Sequence, residues 1–261
     1  MYAFDFERPS TLADALKALE AEDAQALAGG QTLIPTLKQR LASPSKLVSL
    51  TGIDELRGIR TDDDGRLCIG AGTSHAQVAA QSGYPALASL AGNVGDPMVR
   101  NRGTIGGSLA NNDPSACYPA AALASNATIV TNSREIAAAD YFVDLFENAL
   151  DEGEIITEVK FPVPQAAAYM KFEQPASRFA LVGAFVARFA DGVRVAITGA
   201  SNKGVFRWPE AEAALGAEFS ATALDGLALD ADDMMSDVHG PGAYRAHLAA
   251  VMTKRAVTAA G

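Results

Sequence analysis

Two short segments pair glycines with hydroxyl residues, a combination that can bind a negatively charged group. Residues 28–32 read Ala-Gly-Gly-Gln-Thr and residues 104–108 read Thr-Ile-Gly-Gly-Ser. Because glycine lacks a Cβ and tolerates positive φ, consecutive amides in such a loop can turn toward one anion. A helix that begins directly after the loop adds its positive N-terminal dipole at the same place. The two loops together predict a site for a diphosphate.

The charge around both loops favours an anion, although the protein as a whole is acidic. Residues 24–53 contain Lys38, Arg40 and Lys46 without any acid, and residues 98–112 contain Arg100 and Arg102 without any acid. Either loop taken alone is more often a helix cap or a tight bend. Neither matches the G-x-G-x-x-G pattern of Rossmann folds or the phosphate loop G-x-x-x-x-G-K-[ST], so these common nucleotide folds are not indicated.

The elements around the two loops form two successive units. An amphipathic helix at residues 11–19 precedes a strand at 25–28, a helix that begins at residue 33 and a strand at 46–50. The second unit has strands at 67–70, 128–130 and 155–161 and helices at 75–81, 85–90 and 119–124. Residues 92–113, between the last two of these helices, are rich in turn-forming residues. Both glycine loops are therefore expected at the ends of regular elements.

The pattern changes after Pro164 to longer alternating strands at residues 168–172, 180–189 and 193–199, with Asp191-Gly192 joining the last two. Residues 210–237 carry eight acidic residues and no Lys or Arg, which is typical of solvated surface. A helix is expected at residues 243–257. We predict one domain at residues 1–165, with lobes at 1–55 and 56–165, and a C-terminal α+β domain at 166–261.

Composition excludes several classes of function. A net charge of −10 would repel nucleic acid, and no apolar run approaches the roughly 20 residues that span a bilayer. The first residues lack the pattern of a signal peptide. Two cysteines, Cys68 and Cys117, cannot form a disulfide framework or ligate an iron-sulfur cluster alone, and three scattered histidines form no metal-site pattern. A cytoplasmic protein without its own metal is expected.

Two longer strings resemble a known family. AGGQTLIPTLKQRLASPSKLVSL and GDPMVRNRGTIGGSLANNDPSACYPAA are similar to the FAD-binding medium subunits of aerobic carbon monoxide dehydrogenase and related molybdenum hydroxylases, including the FAD domain of xanthine dehydrogenase. The similarity extends through EGEIITEVKFP to AYRAHLAAVMTKRAV near the end of the chain. It implies an α+β fold, with a two-lobed FAD-binding domain of the vanillyl-alcohol-oxidase type followed by a small antiparallel sheet packed with helices.

The resemblance implies that both glycine loops hold the FAD diphosphate, that Ile156 packs on the isoalloxazine and that Lys171 lies near the ring. The residues alone leave Ile156 open as plain core and Lys171 as a surface lysine. The complete set of cofactor contacts that the resemblance implies is Ala28, Gly29, Gly30, Gln31, Thr32, Leu33, Asn101, Gly103, Thr104, Ile105, Gly106, Gly107, Ser108, Asn112, Cys117, Ile156 and Lys171.

Two residues need separate comment. Cys117 stands where many relatives have an aspartate that contacts the ribityl chain of the flavin, and a thiol is a poor acceptor in its place. The contact is then lost or moves to Asp113 or to the backbone, and Cys117 itself is expected to be a small buried hydrophobe rather than a redox thiol. For His75 we expect a capping or solvent-facing role at a helix start.

The resemblance implies an electron-transfer subunit that does not itself oxidise the organic substrate. Its partners would be a small subunit with two 2Fe-2S clusters and a large subunit with a molybdopterin cofactor, assembled as a dimer of heterotrimers, a heterohexamer. Electrons would reach FAD from the clusters and leave to an external acceptor. Two alternatives are a scaffold subunit with a degenerate FAD site and a free-standing FAD-dependent oxidoreductase, which would need a base near the flavin.

Overall fold

The first sheet is small and parallel, and the first glycine loop lies directly after one of its strands. The computed structural model describes residues 1–261. Strand order is β1-β3-β2 and both pairings are parallel. The Thr11 side chain caps α1 by accepting a hydrogen bond from the amide of Asp14. The elements are β1 (Asp5–Glu7), α1 (Leu12–Leu19), β2 (Ala24–Leu27), α2 (Leu33–Lys38) and β3 (Lys46–Ser49).

The second sheet has five strands, all antiparallel, in the order β4-β5-β10-β6-β7. Its strands are β4 (Ile59–Thr61), β5 (Leu67–Gly70), β6 (Thr128–Thr131), β7 (Glu135–Ala137) and β10 (Ile156–Phe161). The helices around it are α3 (His75–Ala80), α4 (Pro85–Gly92), α5 (Pro97–Arg100), α6 (Ile105–Asn111), α7 (Tyr118–Ala124) and α8 (Ala138–Tyr141), followed by a hairpin of β8 (Phe142–Asp144) and β9 (Glu147–Asn148). Two short helices, α5 and α6, thus occupy the stretch that the sequence marked only as turn-rich.

The third sheet is antiparallel, in the order β11-β12-β13-β14. Its elements are β11 (Ala166–Glu173), β12 (Ala180–Phe189), β13 (Gly192–Ser201), β14 (Gly204–Arg207), α9 (Pro209–Ala217) and α10 (Gly242–Ala260). The predicted hairpin is present, but its turn is one residue earlier than expected. Phe189 pairs with Gly192, so Ala190 and Asp191 form the turn.

The acidic stretch is more structured than its charge suggested. It contains α9 and two short 3-10 helices at Ala221–Leu224 and Ala231–Asp233. Ala211, Leu215 and Leu224 from this stretch are fully buried against the third sheet. The acids lie on the solvent side while these apolar residues face inward, and the sequence interpretation considered only the charge.

The hydrophobic core is continuous between the second and third sheets. One cluster of buried residues joins the second sheet and its helices to Tyr169, Phe185, Ala187 and Ala196 of the third sheet. A second cluster fills the other face of the third sheet, against α9 and α10. This packing holds β11 beside α4 and the neighbouring strands β12 and β13 against α7, which brings residues far apart in sequence to one cavity. None of the helices combines the length and apolar character needed to cross a bilayer.

Candidate functional site

The first glycine loop presents a row of free backbone donors. Residues 28–32 connect the end of β2 to α2, and Gly30 has a φ of +70°, which turns the chain there at no steric cost to glycine. None of the amides of residues 28–33 donates a hydrogen bond to an acceptor within the protein. Buried or half-buried amides normally have a partner. Six consecutive amides without one form a cradle suited to an anion.

The second loop is built differently from the first. Thr104 caps α6 by accepting from the amide of Gly107 (3.1 Å), while the amides of Ile105 and Gly106 donate to the carbonyls of Thr73 (3.1 Å) and Ala71 (2.9 Å). The Ser108 amide closes the first helical turn on the Thr104 carbonyl (3.0 Å). These four amides are therefore engaged, which differs from the expected pair of equivalent cradles. The second loop therefore contributes the form of the surface beside the first loop more than it contributes free hydrogen-bond donors.

The two loops touch each other. A Cβ at Gly29 would overlap the carbonyl oxygen of Arg102 and lie 2.7 Å from the Cα of Gly103. On the other side of the contact, a Cβ at Gly107 would lie 3.7 Å from the Ala28 Cβ. Contacts below 3 Å do not occur between real Cβ atoms and backbone. Gly29 is thus required for the close approach of the loops, whereas Gly30 provides the turn.

A cavity of about 780 Å³ runs along both loops, within the range of small-molecule sites. Most of the sequence-predicted contacts line it: Ala28, Gly29, Gly30, Gln31, Thr32, Leu33, Gly103, Thr104, Gly106, Gly107, Ser108, Cys117, Ile156 and Lys171. The structure thus brings residues of β10 and β11 to the same space as the two loops.

Three predicted contacts lie outside the lining of this cavity. Asn101 is exposed at the end of α5, and Ile105 is fully buried in the core. Asn112 ends α6 in the left-handed region, and its Nδ2 donates to the carbonyls of Asp144 (3.0 Å) and Glu147 (2.7 Å). Its amide group is used to fix the β8–β9 hairpin. Ile105 and Asn112 therefore support the structure behind the cavity, whereas Asn101 faces solvent.

Lys171 and Cys117 meet at the end of the cavity away from the first loop. Lys171 Nζ donates to the carbonyls of Asn93 (2.6 Å) and Arg178 (2.7 Å) and lies 3.9 Å from Cys117 Sγ. Burial raises the pKa of the Cys117 thiol. Ile156 lines the cavity from β10 and is 5% exposed. The lining therefore offers the aliphatic side chain of Ile156 and the ammonium group of Lys171. Such a combination suits an aromatic ring system with apolar faces and polar edges.

A hydrogen-bond network around the half-buried Glu154 positions the chain just before Ile156. Glu154 accepts hydrogen bonds from Arg134, Thr131 (2.5 Å) and Ser133 (2.7 Å) and from the amide of Asp151 (2.8 Å). The Arg134 guanidinium, with these other donors, holds the pKa of Glu154 well below its usual range. The carboxylate fixes the turn that delivers Ile155 and Ile156 to the cavity, and the sequence interpretation did not identify it.

His75 is the cavity residue whose environment differs most from expectation. Ser74, not His75, caps α3, and the imidazole is 5% exposed with its Nδ1 enclosed and without a partner. A Cβ at Gly103 would lie 2.6 Å from His75 Nε2, so that glycine gives the ring its space. Burial, with a smaller effect of Arg100, lowers the pKa of His75 to about 4. The sequence signal that could have placed His75 in the cavity is its position just after the turn at residues 70–73, at the end of a strand.

The burial of His75 predicts a specific loss of stability in mild acid. Because the folded-state pKa is depressed from 6.5 to about 4, this contribution is complete above pH 6.5 and is lost as the pH falls toward 4. From pH 7 to 4.5 the loss is roughly 2–3 kcal/mol. Urea unfolding of the native chain and of His75→Gln should show this extra decrease in the native chain only. The exposed His247 offers a matched control, since His247→Gln should retain the decrease; a His75→Gln curve parallel to the native one would contradict the prediction.

Comparison with known proteins now identifies the family. The model of the FAD binding domain in molybdopterin dehydrogenase matches residues 2–164. The chain belongs to this family. It is 34% identical to the carbon monoxide dehydrogenase medium chain of Afipia carboxidovorans, over 98% of this chain and 96% of that one. It is 32% identical to the nicotine 6-hydroxylase medium subunit of Paenarthrobacter nicotinovorans, over 99% and 98% of the two chains.

Solved structures agree with the family assignment. Reconstituted CO dehydrogenase from Oligotropha carboxidovorans contains a chain with a TM-score of 0.90 and 32% identity, covering 99% of this chain and 98% of that one. Quinoline 2-oxidoreductase from Pseudomonas putida 86 contains one with a TM-score of 0.84 and 29% identity, over 99% and 97%. The predicted family and α+β fold are confirmed. The free amides of the first loop open on the cavity and suit the diphosphate of FAD.

Proposed function

We propose that this chain binds FAD along the cavity and relays electrons from iron-sulfur clusters of a partner subunit to an external acceptor. The observation that carries the proposal is the run of six unpartnered amides at residues 28–33 inside a cavity of about 780 Å³. These amides would hold the diphosphate. The flavin would then occupy the end with Cys117, Ile156 and Lys171, and the adenine the opposite end.

The residues of the chain bind and orient the cofactor rather than perform proton chemistry. FAD when bound supplies the capacity to accept electrons singly and release them in pairs. Ile156 excludes water from the ring surface, and Lys171 ties the carbonyls of Asn93 and Arg178 together at the ring end. The sequence interpretation listed no catalytic residue, and we propose none. Substrate oxidation is assigned to a partner.

The proposed partners are a small subunit with two 2Fe-2S clusters and a large molybdopterin subunit. Support comes from relatives matched over almost their full length, which are named medium chains or medium subunits. We propose a dimer of heterotrimers in the cytoplasm. We further propose the division into an FAD-binding domain at 1–165 and a C-terminal domain at 166–261, with the continuous core between the sheets holding them in one body.

Coexpression with the neighbouring reading frames tests the proposal. The purified complex is analysed for released FAD, iron and molybdenum. It is then reduced anaerobically with dithionite, freed of excess reductant and mixed with oxygen, NAD or a quinone, while the absorbance of the clusters is followed. We expect the clusters to be reoxidised quickly in the native complex and to remain reduced much longer in a complex whose medium chain carries a substitution that removes FAD.

Three other outcomes would contradict the proposal. An assembled complex without flavin would support the scaffold alternative. Oxidation of carbon monoxide, glyceraldehyde or nicotine by the isolated chain with FAD would support a free-standing oxidoreductase. Equal reoxidation of the clusters with and without FAD would remove the electron-transfer role, even if the cofactor is present.

A further inference from the structure

Lys171 is a positive charge in the cavity that no carboxylate neutralises. Its ammonium group donates to two backbone carbonyls, those of Asn93 and Arg178, and forms no ion pair. Glu173 lies two residues further along β11, is exposed and does not bond to it. Carbonyl oxygens satisfy the hydrogen-bonding capacity of an ammonium group without cancelling its charge.

The groups around Lys171 leave this charge uncompensated. Cys117 Sγ lies 3.9 Å from Nζ. Burial raises the pKa of this thiol, so it is neutral near pH 7. Tyr169 is 5% exposed, and its hydroxyl group is enclosed and has no hydrogen-bond partner. The hydroxyl is also neutral, because burial raises the pKa of Tyr169.

The two acids that line the cavity differ in their partners. Glu154 is paired with Arg134, whereas Asp113 accepts only from the amide of Ser115 (2.8 Å), which does not cancel its charge, and it forms no ion pair with Lys171. Arg178 is the second cation of the lining, and the ring of His75 is uncharged near pH 7 because burial lowers the pKa of His75 to about 4. Lys171 is therefore a cation without a paired carboxylate at the Cys117–Lys171 end of the cavity, inside a protein of net charge −10.

We propose that the pair of Cys117 and Lys171 tunes bound flavin, with the neutral thiol leaving the ammonium free to raise the reduction potential of the ring. This inference rests on the proposed function, since it requires FAD with its flavin at this end. A cation near the ring stabilises the anionic reduced form relative to the neutral oxidised form, and the effect is large in a site shielded from water. Lys171 acts as a tuning residue and not as a proton donor.

Two substitutions at Cys117 separate the effect of a negative charge on flavin reduction from the effect of side-chain shape. Cys117→Asp places a carboxylate close to the Lys171 ammonium, whereas Cys117→Asn has nearly the same shape without the charge. The full-length chain with bound FAD is titrated with dithionite in the presence of a reference redox dye, which gives the equilibrium constant for flavin reduction. We expect this constant to be at least about tenfold lower in Cys117→Asp than in Cys117→Asn, a difference of about 30 mV for two electrons.

Lys171→Met gives an independent measurement, because it removes the cation without adding an anion. We expect the equilibrium constant for flavin reduction to be at least about tenfold lower in Lys171→Met than in the native chain. This measurement tests the inference even if Cys117→Asp does not retain FAD. Equal constants in the two Cys117 variants, or a native constant in Lys171→Met, would overturn the inference while leaving FAD binding intact. Failure of the native chain itself to bind FAD would instead overturn the proposed function.

Discussion

The Gly29→Ala variant is expected to bind FAD roughly 10- to 100-fold more weakly than the native chain, which corresponds to 1–3 kcal/mol of overpacking. The added Cβ would overlap the Arg102 carbonyl oxygen and approach the Gly103 Cα to 2.7 Å. Both obstacles are backbone atoms, so they cannot move as a flexible side chain does. The loops must separate, and the amides of residues 28–33 shift relative to the second loop.

The measurement for Gly29→Ala is a fluorescence titration of the chain with FAD, together with its thermal unfolding in the absence of FAD. Gly216→Ala is a matched control: it makes the same chemical change in α9, where a Cβ would meet no other atom within 4 Å. That variant should bind FAD as the native chain does. Native affinity in Gly29→Ala would show that the contact between the loops does not position the cradle.

Asp237→Asn is expected to lower the free energy of unfolding by about 2 kcal/mol, less than the roughly 3–5 kcal/mol of a fully buried pair. The Arg245 side chain is 2% exposed and that of Asp237 is 33% exposed. Arg245 donates two hydrogen bonds of 2.8 Å to the carboxylate, and its Nη1 donates to the carbonyls of Leu181 (2.8 Å) and Gly199 (2.6 Å). The substitution leaves a buried guanidinium without its counter-charge.

The pH dependence of this pair has a defined sign. Burial alone would raise the pKa of Asp237, but the hydrogen bonds and charge of Arg245, together with the hydrogen bond from the His239 amide, outweigh it and lower the pKa below 3.8. The stabilisation is therefore complete above the ordinary carboxyl pKa and is lost as the pH falls below it. Urea unfolding at pH 7 and pH 3.5 measures this, and the gap between native and Asp237→Asn should narrow at the lower pH.

A surface ion pair provides the comparison for Asp237. Asp225 pairs with Lys254 at 2.6 Å, with side chains 68% and 36% exposed. Because exposed pairs contribute about 0–1 kcal/mol, Asp225→Asn should change stability little. The prediction is that burial of Arg245 makes its ion pair important for attaching α10 to the third sheet. Equal losses of stability in Asp237→Asn and Asp225→Asn would contradict it.

The failures of sequence interpretation at the site share one origin. Residues 104–108 have the composition of an anion-binding loop, yet most of their amides donate to Thr73, Ala71 and the Thr104 cap. Those acceptors belong partly to the turn after β5, which the local sequence does not reveal. In the same way, His75 follows a turn that reads as exposed and is buried by later segments of the chain, where Gly103 and the ring of Tyr118 lie against it.

Local interactions set most of the longer elements and the first loop, so the amino-acid sequence alone was enough to predict them. Glycine at positive φ, the Thr11 cap and the alternation of apolar residues act within a few positions along the chain. Only the tertiary structure decided which groups share the cavity. Lys171 meets Cys117 and Asn93 across 54 and 78 positions of sequence, since the continuous core packs β11 against α4 and packs β12 and β13 against α7. Such pairings follow from the packing of sheets, which local composition does not encode.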